Sequence, residues 1–429
     1  MLPLATVEAA LYQKTLSCVH CGLCLPACPA YAALGRESVA PRGQVYNVRA
    51  LLEGRLELED TLAEDFYDCL TCRACESVCP AGVPVGSIME DVRGLVTEAR
   101  IEGRLVRVLK RFFLAGVLPH PWRLRALVGL LRLYEASGAR RLLKRILPDQ
   151  AALMPTVPPA RERRPLPRLV PAIGTSRGRV GLFTGCIAAH LFAETNQASA
   201  RVLARNGYDV VVPPEQRCCG ALQLHNGLPD VARALARENV AVFGNARVDF
   251  IVTNAAGCGA ALTEYGELLG HDGDARAFAG GVVDVTRFLV REGYTRPARG
   301  PALRVAYDEP CHLAHAQKVR AEPRALLESI PGVTLVSHAE PERCCGSAGI
   351  YNITHYRTAL HVLDDKMRSL AAVQPDLIAT GNPGCQMQIA YGVRRAGLSA
   401  EVVHPIVLLD RAYALGDSLD SESLFRESV

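Results

Sequence analysis

The chain has 429 residues, which is enough for two or three domains that each have their own core. Its formal net charge of +4 is small and predicts no general affinity for nucleic acid. The sixteen cysteines stand out, and they indicate either the disulfides of a secreted protein or metal ligands in a reducing compartment. The first residues, "MLPLATVEAALYQKTLS", lack the pattern of a secretory signal peptide, and no stretch of about 18 apolar residues predicts a membrane span. We therefore expect a cytoplasmic protein whose cysteines bind metal.

Two short runs of cysteines near the N-terminus, "CVHCGLCLPACP" and "CLTCRACESVCP", share the spacing C-x2-C-x2-C-x3-C-P. This is the spacing of bacterial ferredoxins, in which the fourth cysteine of a run ligates the cluster of the other run. We therefore predict two [4Fe-4S] clusters. The ligands would be Cys18, Cys21, Cys24 and Cys79 for the first cluster, and Cys69, Cys72, Cys75 and Cys28 for the second. Structural zinc also uses C-x2-C pairs, but it explains neither the third cysteine of each run nor the closing prolines, Pro29 and Pro80.

Helices are predicted between and after these runs. The stretch "PRGQVYNVRALLEG" places Val45 and Val48 on one helical face and ends at Gly54. From residue 100 to 150 the chain has twelve Lys or Arg and three Asp or Glu, and its apolar spacing predicts two helices separated by Pro119 and Pro121. Basic amphipathic helices of this kind dock on a partner or another domain, which we favour, or lie on an anionic membrane surface. The following stretch, "PTVPPARERRPLPRLVPAIGTSRGR", predicts an extended linker.

The remaining eight cysteines form two matching sets of four. These are Cys186, Cys218, Cys219 and Cys258 in the first set, and Cys311, Cys344, Cys345 and Cys385 in the second. Corresponding positions are offset by 125 to 127 residues, and each set contains the sequence Cys-Cys-Gly. The pattern indicates an internal duplication.

Each copy reads as short strands that alternate with helices. In the first copy, "RVGLFTGC", "YDVVVPPEQRCCG" and "DFIVTNAAGC" are apolar runs that each lead into a cysteine, and "DVARALARENVAVFG" is helical. Alternation of this kind predicts a parallel sheet, and ligands bind beyond the carboxyl ends of its strands. We therefore expect the four thiols of each copy at one sheet edge, as candidate ligands of one or two further iron–sulfur clusters. Apolar packing of a few thiols and a thiol–disulfide centre are the alternatives.

The predicted fold class is α+β overall. An α-helical ferredoxin-like N-terminal domain (1–98) precedes a basic helical segment with a Pro/Arg-rich linker (99–177). A duplicated α/β cysteine-rich domain with parallel sheets follows, as a first repeat (178–299) and a second repeat (300–429).

The "CCG" repeats resemble the cysteine-rich domains of heterodisulfide reductases. Together with the N-terminal region, the chain resembles the iron–sulfur subunit of glycolate oxidase over nearly its full length, through "YAALGRESVAPRGQVY", "ARVLARNGYDVVVPPEQRCCGALQLHNG" and "NAAGCGAALTEYGELL". The resemblance implies a subunit that passes electrons from FAD-binding glycolate or lactate dehydrogenase subunits toward a quinone-type acceptor, peripherally at the inner face of the membrane. The alternative is a heterodisulfide reductase-like or sn-glycerol-3-phosphate dehydrogenase-type reductase subunit with chemistry at its CCG domain.

Flavin-binding and phosphate-binding motifs are not found in the sequence. It contains neither G-x-G-x-x-G after a strand nor a P-loop, so we expect no flavin in this chain and no complete enzyme without partner subunits. The full heterodisulfide reductase motif has one more thiol per copy, where Ala255 and Asn382 stand here, and this departure argues against disulfide reduction. Four thiols per copy still suffice for a cubane cluster.

Three further residues are candidates for tuning a cluster: His312, Arg217 and Arg343. His312 follows Cys311 directly, and each arginine precedes a Cys-Cys pair, where its charge would raise a reduction potential. Exposed salt bridges would explain the arginines equally well. For the histidines near the repeat cysteines, His225, His315 and His338, we expect packing or surface roles.

Overall fold

The computed structural model describes residues 4–139, 145–146, 153–154, 156–160 and 162–426, with side chains between residues 8 and 417. The N-terminal region is helical, as predicted. Its helices are α1 (Leu4–Leu16), α2 (Pro29–Leu34), α3 (Pro41–Leu52), α4 (Asp60–Asp68), α5 (Ala74–Ser77) and α6 (Val85–Glu98), with a 3-10 turn at Glu37–Val39. Val45 and Val48 of α3 are buried against Ile88 and Val92 of α6. Helix α3 ends just before Gly54, which has a φ of +69°.

The proline that closes the first cysteine run begins a helix. Pro29 is the first residue of α2, where the missing N–H of proline costs no hydrogen bond. The preceding thiol caps the same helix, because the Tyr31 N–H donates to Cys28 Sγ at 3.4 Å. The C-P pair therefore fixes the direction in which Cys28 leaves the loop.

The basic segment forms two helices with the predicted break between them. Helix α7 (Arg104–Arg111) continues into a π-helix (Phe112–Val117), and helix α8 (Pro121–Ala136) follows Pro119. The π-helix was not expected from the sequence, and it is closed by a 2.9 Å bond from Leu118 N–H to Phe113 O. Most of the predicted second helix beyond residue 139 lies outside the described residues.

The repeats form two sheets whose four parallel strands have the same order. The first contains β1 (Leu169–Val170), β2 (Gly178–Phe183), β3 (Tyr208–Val211), β4 (Phe250–Thr253) and β5 (Val282–Asp284), and the second contains β6 (Leu303–Asp308), β7 (Val333–Leu335), β8 (Leu377–Thr380) and β9 (Glu401–Val403). The strand orders are β1-β3-β2-β4-β5 and β7-β6-β8-β9, and every pairing except the antiparallel β1·β3 is parallel. The α+β class and the parallel sheets are confirmed. Strands β5 and β9, and strand β1 within the predicted linker, were not expected.

Helices surround both sheets. In the first repeat they span Ile187–Leu191, Ala193–Arg205, Ala221–His225, Pro229–Ala246, Ala256–Thr263, Tyr265–Leu268, Gly273–Gly281 and Val285–Glu292. In the second they span Ala321–Glu328, Tyr351–Thr354, Tyr356–Ala372, Pro383–Ala396 and Pro405–Arg426, with a π-turn at His312–Ala316. Helix α6 ends at residue 98, and β2 begins at residue 178, next to two of the domain limits that we predict.

The two repeats share one hydrophobic core. Side chains of both sheets, such as Leu182 and Tyr307, belong to it together with Leu408 of the C-terminal helix. That helix packs on Ala193–Arg205 of the first repeat. Ion pairs flank the contact, with Arg201 2.6 Å from Asp410.

The N-terminal region contacts both repeats. Arg93 of α6 donates to the carbonyls of Phe66, Cys69 and His225, and the His225 contact, at 2.8 Å, reaches the first repeat. The hydroxyl of Tyr351, in the second repeat, donates to Asp68 O at 3.1 Å. The ferredoxin-like helices are thus held against both copies. No helix among the described residues is sufficiently long and apolar to cross a membrane.

Candidate metal centres

The first cysteine run surrounds a cavity near the surface. The cavity is lined by Cys18, Cys21, Cys24, Cys75 and Cys79, among other residues. Cys21 is exposed, and the neighbouring Val19 and Leu23 are 72% and 59% exposed. All four thiols that we predict for the first cluster therefore line one cavity, whose rim is exposed.

A second cavity lies deeper in the chain. It is lined by Cys28, Cys69, Cys72 and Cys75, the four predicted ligands of the second cluster. Cys75, Pro41 and Val85 line both cavities, so the two are direct neighbours. The structure brings both quartets together, and in each case the fourth thiol comes from the other run. Each set of four thiols fits one [4Fe-4S] cluster. The assignment of these thiols as cluster ligands stays our proposal.

The two cysteine loops have the same unusual backbone. His20 and Gly22 have φ of +55° and +84°, and Thr71 and Arg73 occupy the equivalent places with φ of +50° and +62°. Alternating left-handed residues turn successive N–H groups toward one side, which favours an anionic cluster. Such a conformation suits glycine, but Arg73 has a Cβ and pays a steric cost. Its guanidinium is held by the carboxylate of Glu264 in the first repeat, with Nη2 to Oε2 at 3.0 Å.

Burial opposes ionisation of the thiols around the deeper cavity. It raises the pKa of Cys28 to about 12, and it also raises the pKa of Cys69 and of Cys72. Thiolates at these positions therefore require the charge of bound metal, which deprotonates coordinating thiols. Among the residues with described placement, no three Cys, His, Asp or Glu side chains converge as they would on a single ion.

The thiols of the first repeat meet beyond the carboxyl ends of β2, β3 and β4, as predicted. Cys186 Sγ lies 3.4 Å from Cys218 Sγ, and Cys219 interacts with both Cys218 and Cys258. Cys218 and Cys219 are each 3% exposed. Four thiols far apart in sequence thus form one group, in which Cys218 and Cys219 are buried and Cys186 and Cys258 are partly exposed.

The second repeat forms the same group beyond β6, β7 and β8. Cys344 interacts with Cys311 and Cys345, and Cys345 interacts with Cys385. Burial contributes to the raised pKa of Cys385, although its interaction with Cys345 is the larger cause. Each quartet offers the donor set of a cubane cluster.

The second quartet lies directly behind the deeper cavity. Cys72 of the ferredoxin-like region interacts with Cys344 and Cys311, and the three residues share one apolar cluster with Leu70 and Tyr351. The shallow cavity, the deeper cavity and the second quartet therefore form a continuous series of thiol sites.

Asn382 connects the second quartet to the first repeat. Its side-chain N–H donates to Cys385 Sγ at 3.5 Å, and its Oδ1 accepts from the N–H of Gly257, next to Cys258, at 3.1 Å. In the heterodisulfide reductase motif this position is a thiol. Here an amide fills it and bridges the two copies.

His312 packs between the regions. Its Nε2 lies 2.9 Å from Thr71 O, and since a carbonyl oxygen only accepts, Nε2 carries the proton. Burial lowers the pKa of His312 to about 3, so the imidazole is neutral. The ring lies 5.3 Å from that of His225, whose Nδ1 is 2.9 Å from Glu90 Oε1. His312 thus positions the loop between Cys69 and Cys72, and its tuning role stays a prediction.

Arg217 and Arg343 point toward carboxylates. Arg217 Nε lies 2.7 Å from Glu238 Oε2, and Arg343 pairs with Glu340 at 2.9 Å and with Asp365 at 3.3 Å. The Arg217 pair is an exposed salt bridge of the kind that we give as the alternative, whereas the pair of Arg343 with Asp365 is largely buried. A tuning role for either arginine stays a prediction. The other histidines make ordinary polar contacts: His315 with Ser77 at 2.9 Å and His338 with Ser369 at 2.9 Å.

One buried ion pair near the second quartet was missed by the sequence reasoning. Lys366 Nζ lies 2.9 Å from Asp308 Oδ1, and both side chains are almost fully buried. The lysine also donates to Pro341 O, so it fixes the loop that precedes Cys344. The position 127 residues earlier is Asn239, which instead donates to Cys218 O at 3.1 Å. Only the offset between the copies could have drawn attention to either residue.

Comparison with known proteins agrees with this architecture. Residues 14–83 match the 4Fe-4S dicluster domain, and residues 180–263 and 305–390 match the cysteine-rich CCG domain. Residues 105–156 match the linker region of the glycolate oxidase iron-sulfur subunit. The fold and its thiol sites therefore define an iron–sulfur electron-transfer subunit of an oxidoreductase complex, with multiple clusters.

Relatives that align with nearly the whole chain show which family of iron–sulfur subunits it belongs to. A probable glycolate oxidase iron-sulfur subunit of Bacillus subtilis (strain 168) is 38% identical over 406 residues, covering 91% of each chain. The glycolate oxidase iron-sulfur subunit of Escherichia coli (strain K12) is 35% identical over 92% of this chain and 93% of its own. A subunit of the dihydromethanophenazine:CoB–CoM heterodisulfide reductase of Methanosarcina acetivorans is 26% identical over 94% of this chain and 95% of its own. The chain belongs to the family of glycolate oxidase iron–sulfur subunits.

Proposed function

We propose that this chain is the electron-carrying subunit of a flavin-dependent glycolate oxidase complex. FAD-binding glycolate or lactate dehydrogenase subunits would oxidise the 2-hydroxy acid and deliver electrons to this subunit. A quinone-type acceptor would receive them, with the subunit bound peripherally at the membrane. The names of the two bacterial relatives support the substrate, and the absence of a flavin-binding motif in the sequence supports the need for partners.

The observation that carries the proposal is the continuous series of thiol sites. It begins at the exposed Cys21, passes through two cavities that share Cys75, and reaches the second quartet where Cys72 meets Cys344. Iron–sulfur clusters held by these thiols supply one-electron carriers at potentials set by hydrogen bonds and solvent exposure. The chain itself contributes buried, apolar surroundings for the inner sites and an open face at the outer one.

Heterodisulfide reduction is the second candidate, because the repeats and three relatives that are heterodisulfide reductase subunits point to it. The amide of Asn382 in place of a thiol disfavours that reading. An sn-glycerol-3-phosphate dehydrogenase-type subunit would use the same electron path with other partners.

The test is to purify the chain anaerobically, alone and with its co-expressed partner subunits, and to measure iron, sulfide and EPR spectra. About eight irons would confine the clusters to the ferredoxin-like region, and about twelve or sixteen would extend them into the repeats. Glycolate should reduce the clusters only when the flavoprotein subunits are present. Preferential reduction by D-lactate or sn-glycerol 3-phosphate would reassign the substrate. Zinc without iron, or heterodisulfide reduction by the isolated chain with methyl viologen, would contradict the proposal.

A further inference from the structure

Helices α7 and α8 expose an unusual amount of apolar surface. Leu105, Leu109 and Phe112 follow helical spacing along α7 and the π-helix, and they are 71%, 58% and 67% exposed. Along α8, one stripe repeats at positions i, i+4, i+7, i+8 and i+11. It contains Trp122, Ala126, Gly129, Leu130 and Leu133, all of them exposed. We call these two stripes together the 105–133 face.

The two stripes meet at Gly116. A Cβ placed on Gly116 would lie 3.8 Å from the Phe112 ring and 4.0 Å from the guanidinium of Arg123, so both side chains border the same point. Arg123 also donates to Gly116 O and lies over the Trp122 ring, 5.1 Å from its centroid. Phe112 and the Arg123–Trp122 pair therefore border the same glycine, and the Arg123 guanidinium joins the two stripes into one surface. Clusters of exposed large apolar side chains rimmed by polar residues mark interaction sites.

The charged residues of the segment that carries the 105–133 face are all positive. Between Glu102 and Glu135 the sequence has seven Lys or Arg and no Asp or Glu. Four of the arginines, Arg104, Arg111, Arg123 and Arg125, are exposed. The carboxylate of Glu102, just before this segment, forms an ion pair with Lys110. Large apolar side chains interleaved with arginines, without acidic residues, match an anionic lipid surface, where the apolar groups enter the headgroup boundary.

We infer that the 105–133 face is the membrane-binding surface of the subunit and that it binds bilayers rich in anionic phospholipid. The inference specifies which surface makes the peripheral membrane contact proposed above. Lipid binding by this face does not depend on the proposed function, but its role in electron transfer to a membrane acceptor does. The inner side of the same helices covers the first quartet. Gln223 donates to Leu114 O at 2.8 Å and accepts from Cys218 Sγ at 3.7 Å, so one side chain separates the helix from a thiol. Binding through this face would bring the first quartet close to the lipid surface.

The sequence supplies its own reporter for a test. Trp122 is the only tryptophan, and it is 67% exposed on the 105–133 face. The purified full chain is mixed with vesicles of phosphatidylcholine alone, or of phosphatidylcholine and phosphatidylglycerol in equal parts. We expect a blue shift of the Trp122 emission and co-flotation with the anionic vesicles, both weakened by salt.

Paired variants locate the contact. Leu109→Ser with Phe112→Ser should weaken binding to the anionic vesicles about tenfold or more, because two large apolar groups no longer enter the interface. Ile173→Ser is the matched control, since Ile173 is 66% exposed in the linker, and it should bind as the unaltered chain does. Absence of a shift with both vesicle types would overturn the inference. A shift caused by the flavoprotein subunits instead of lipid would also overturn it and assign the face to a protein partner. Neither outcome changes the iron content or glycolate-driven reduction, which test the proposed function separately.

Discussion

The exchange of ligands between the two cysteine runs can be tested with pairs of single-residue changes. Under our assignment, Cys21→Ser and Cys79→Ser damage the same cluster, although they lie in different runs. The double variant should then lose the EPR signal that either single variant loses. Cys72→Ser combined with Cys79→Ser should lose both signals, since Cys72 lines the other cavity. If Cys79→Ser instead alters the signal that Cys72→Ser alters, each run ligates its own cluster.

Arg73 has a left-handed backbone that disfavours a residue with a Cβ, and a side chain that forms a stabilising ion pair with Glu264. Arg73→Gly and Arg73→Ala both remove the ion pair with Glu264, but only alanine keeps a Cβ at a φ of +62°. We expect the glycine variant to be more stable than the alanine variant by about 1 kcal/mol, because left-handed conformations penalise residues with a Cβ. Anaerobic thermal unfolding of the two variants measures the difference. Equal midpoints would mean that the loop relaxes and that the left-handed conformation carries no cost.

At the scale of elements, a histidine controls the start of the C-terminal helix. The N–H of Ile406 donates to His404 Nδ1 at 3.0 Å, which requires that nitrogen to be unprotonated. Burial lowers the pKa of His404 to about 3, below the usual value near 6.5. The unfolded chain therefore binds the proton more readily, so the stability from His404 is complete above pH 6.5 and is lost as the pH falls toward 3.

Denaturant unfolding between pH 7 and pH 4 would measure this dependence. The contribution of His404 should fall by up to about 1.4 kcal/mol per pH unit below pH 6.5. His404→Gln keeps a polar side chain but cannot take up the proton, so its unfolding free energy should depend less on pH. A variant with the same slope as the unaltered chain would show that His404 does not titrate on unfolding.

The sequence predicted elements where the local signal was strong. Strands β4 and β8 were expected because each has three apolar residues and a threonine, and a cysteine follows five residues later. Strands β5 and β9 were missed because neither leads into a cysteine of the repeat, so the cysteine pattern does not mark them. Strand β7 is equally short, but the run that contains it leads into Cys344. The thiol quartets were predictable because spacing and duplication are visible in the sequence. The Arg73–Glu264 pair and the Asn382 bridge were not, since both join parts of the chain that only tertiary packing brings together.

At the scale of the whole molecule, a glycine sets how closely the N-terminal region approaches the repeats. A Cβ on Gly227 would lie 2.2 Å from Arg93 O and 2.5 Å from Thr97 Oγ1, so α6 would have to move. Gly270 has nearly the same backbone, with φ of +71° against +70°, but has no atom within 4 Å of its Cβ position. An alanine at Gly270 would therefore meet only the penalty of a left-handed backbone, whereas an alanine at Gly227 would also clash with α6.

We expect Gly270→Ala to cost about 1 kcal/mol of unfolding free energy from the backbone alone. Gly227→Ala should cost about 2 kcal/mol more, because overpacking between rigid backbones adds to the same penalty. It should also make the junction between α6 and the first repeat more sensitive to limited proteolysis. Similar losses of unfolding free energy in the two variants would show that α6 can move away from the first repeat at little cost.

The contact between Cys72 and Cys344 has a consequence for how the protein is made. The loop that carries Cys69, Cys72 and Cys75 is synthesised early, but the surface that encloses it belongs to the second repeat, more than two hundred residues later. During translation the deeper cavity is therefore open on the side that the finished chain closes. Iron and sulfide can reach it most easily before the second repeat folds, and the order of cofactor loading would then follow the order of synthesis. A chain that folds before loading would have to open this contact again to receive its metal.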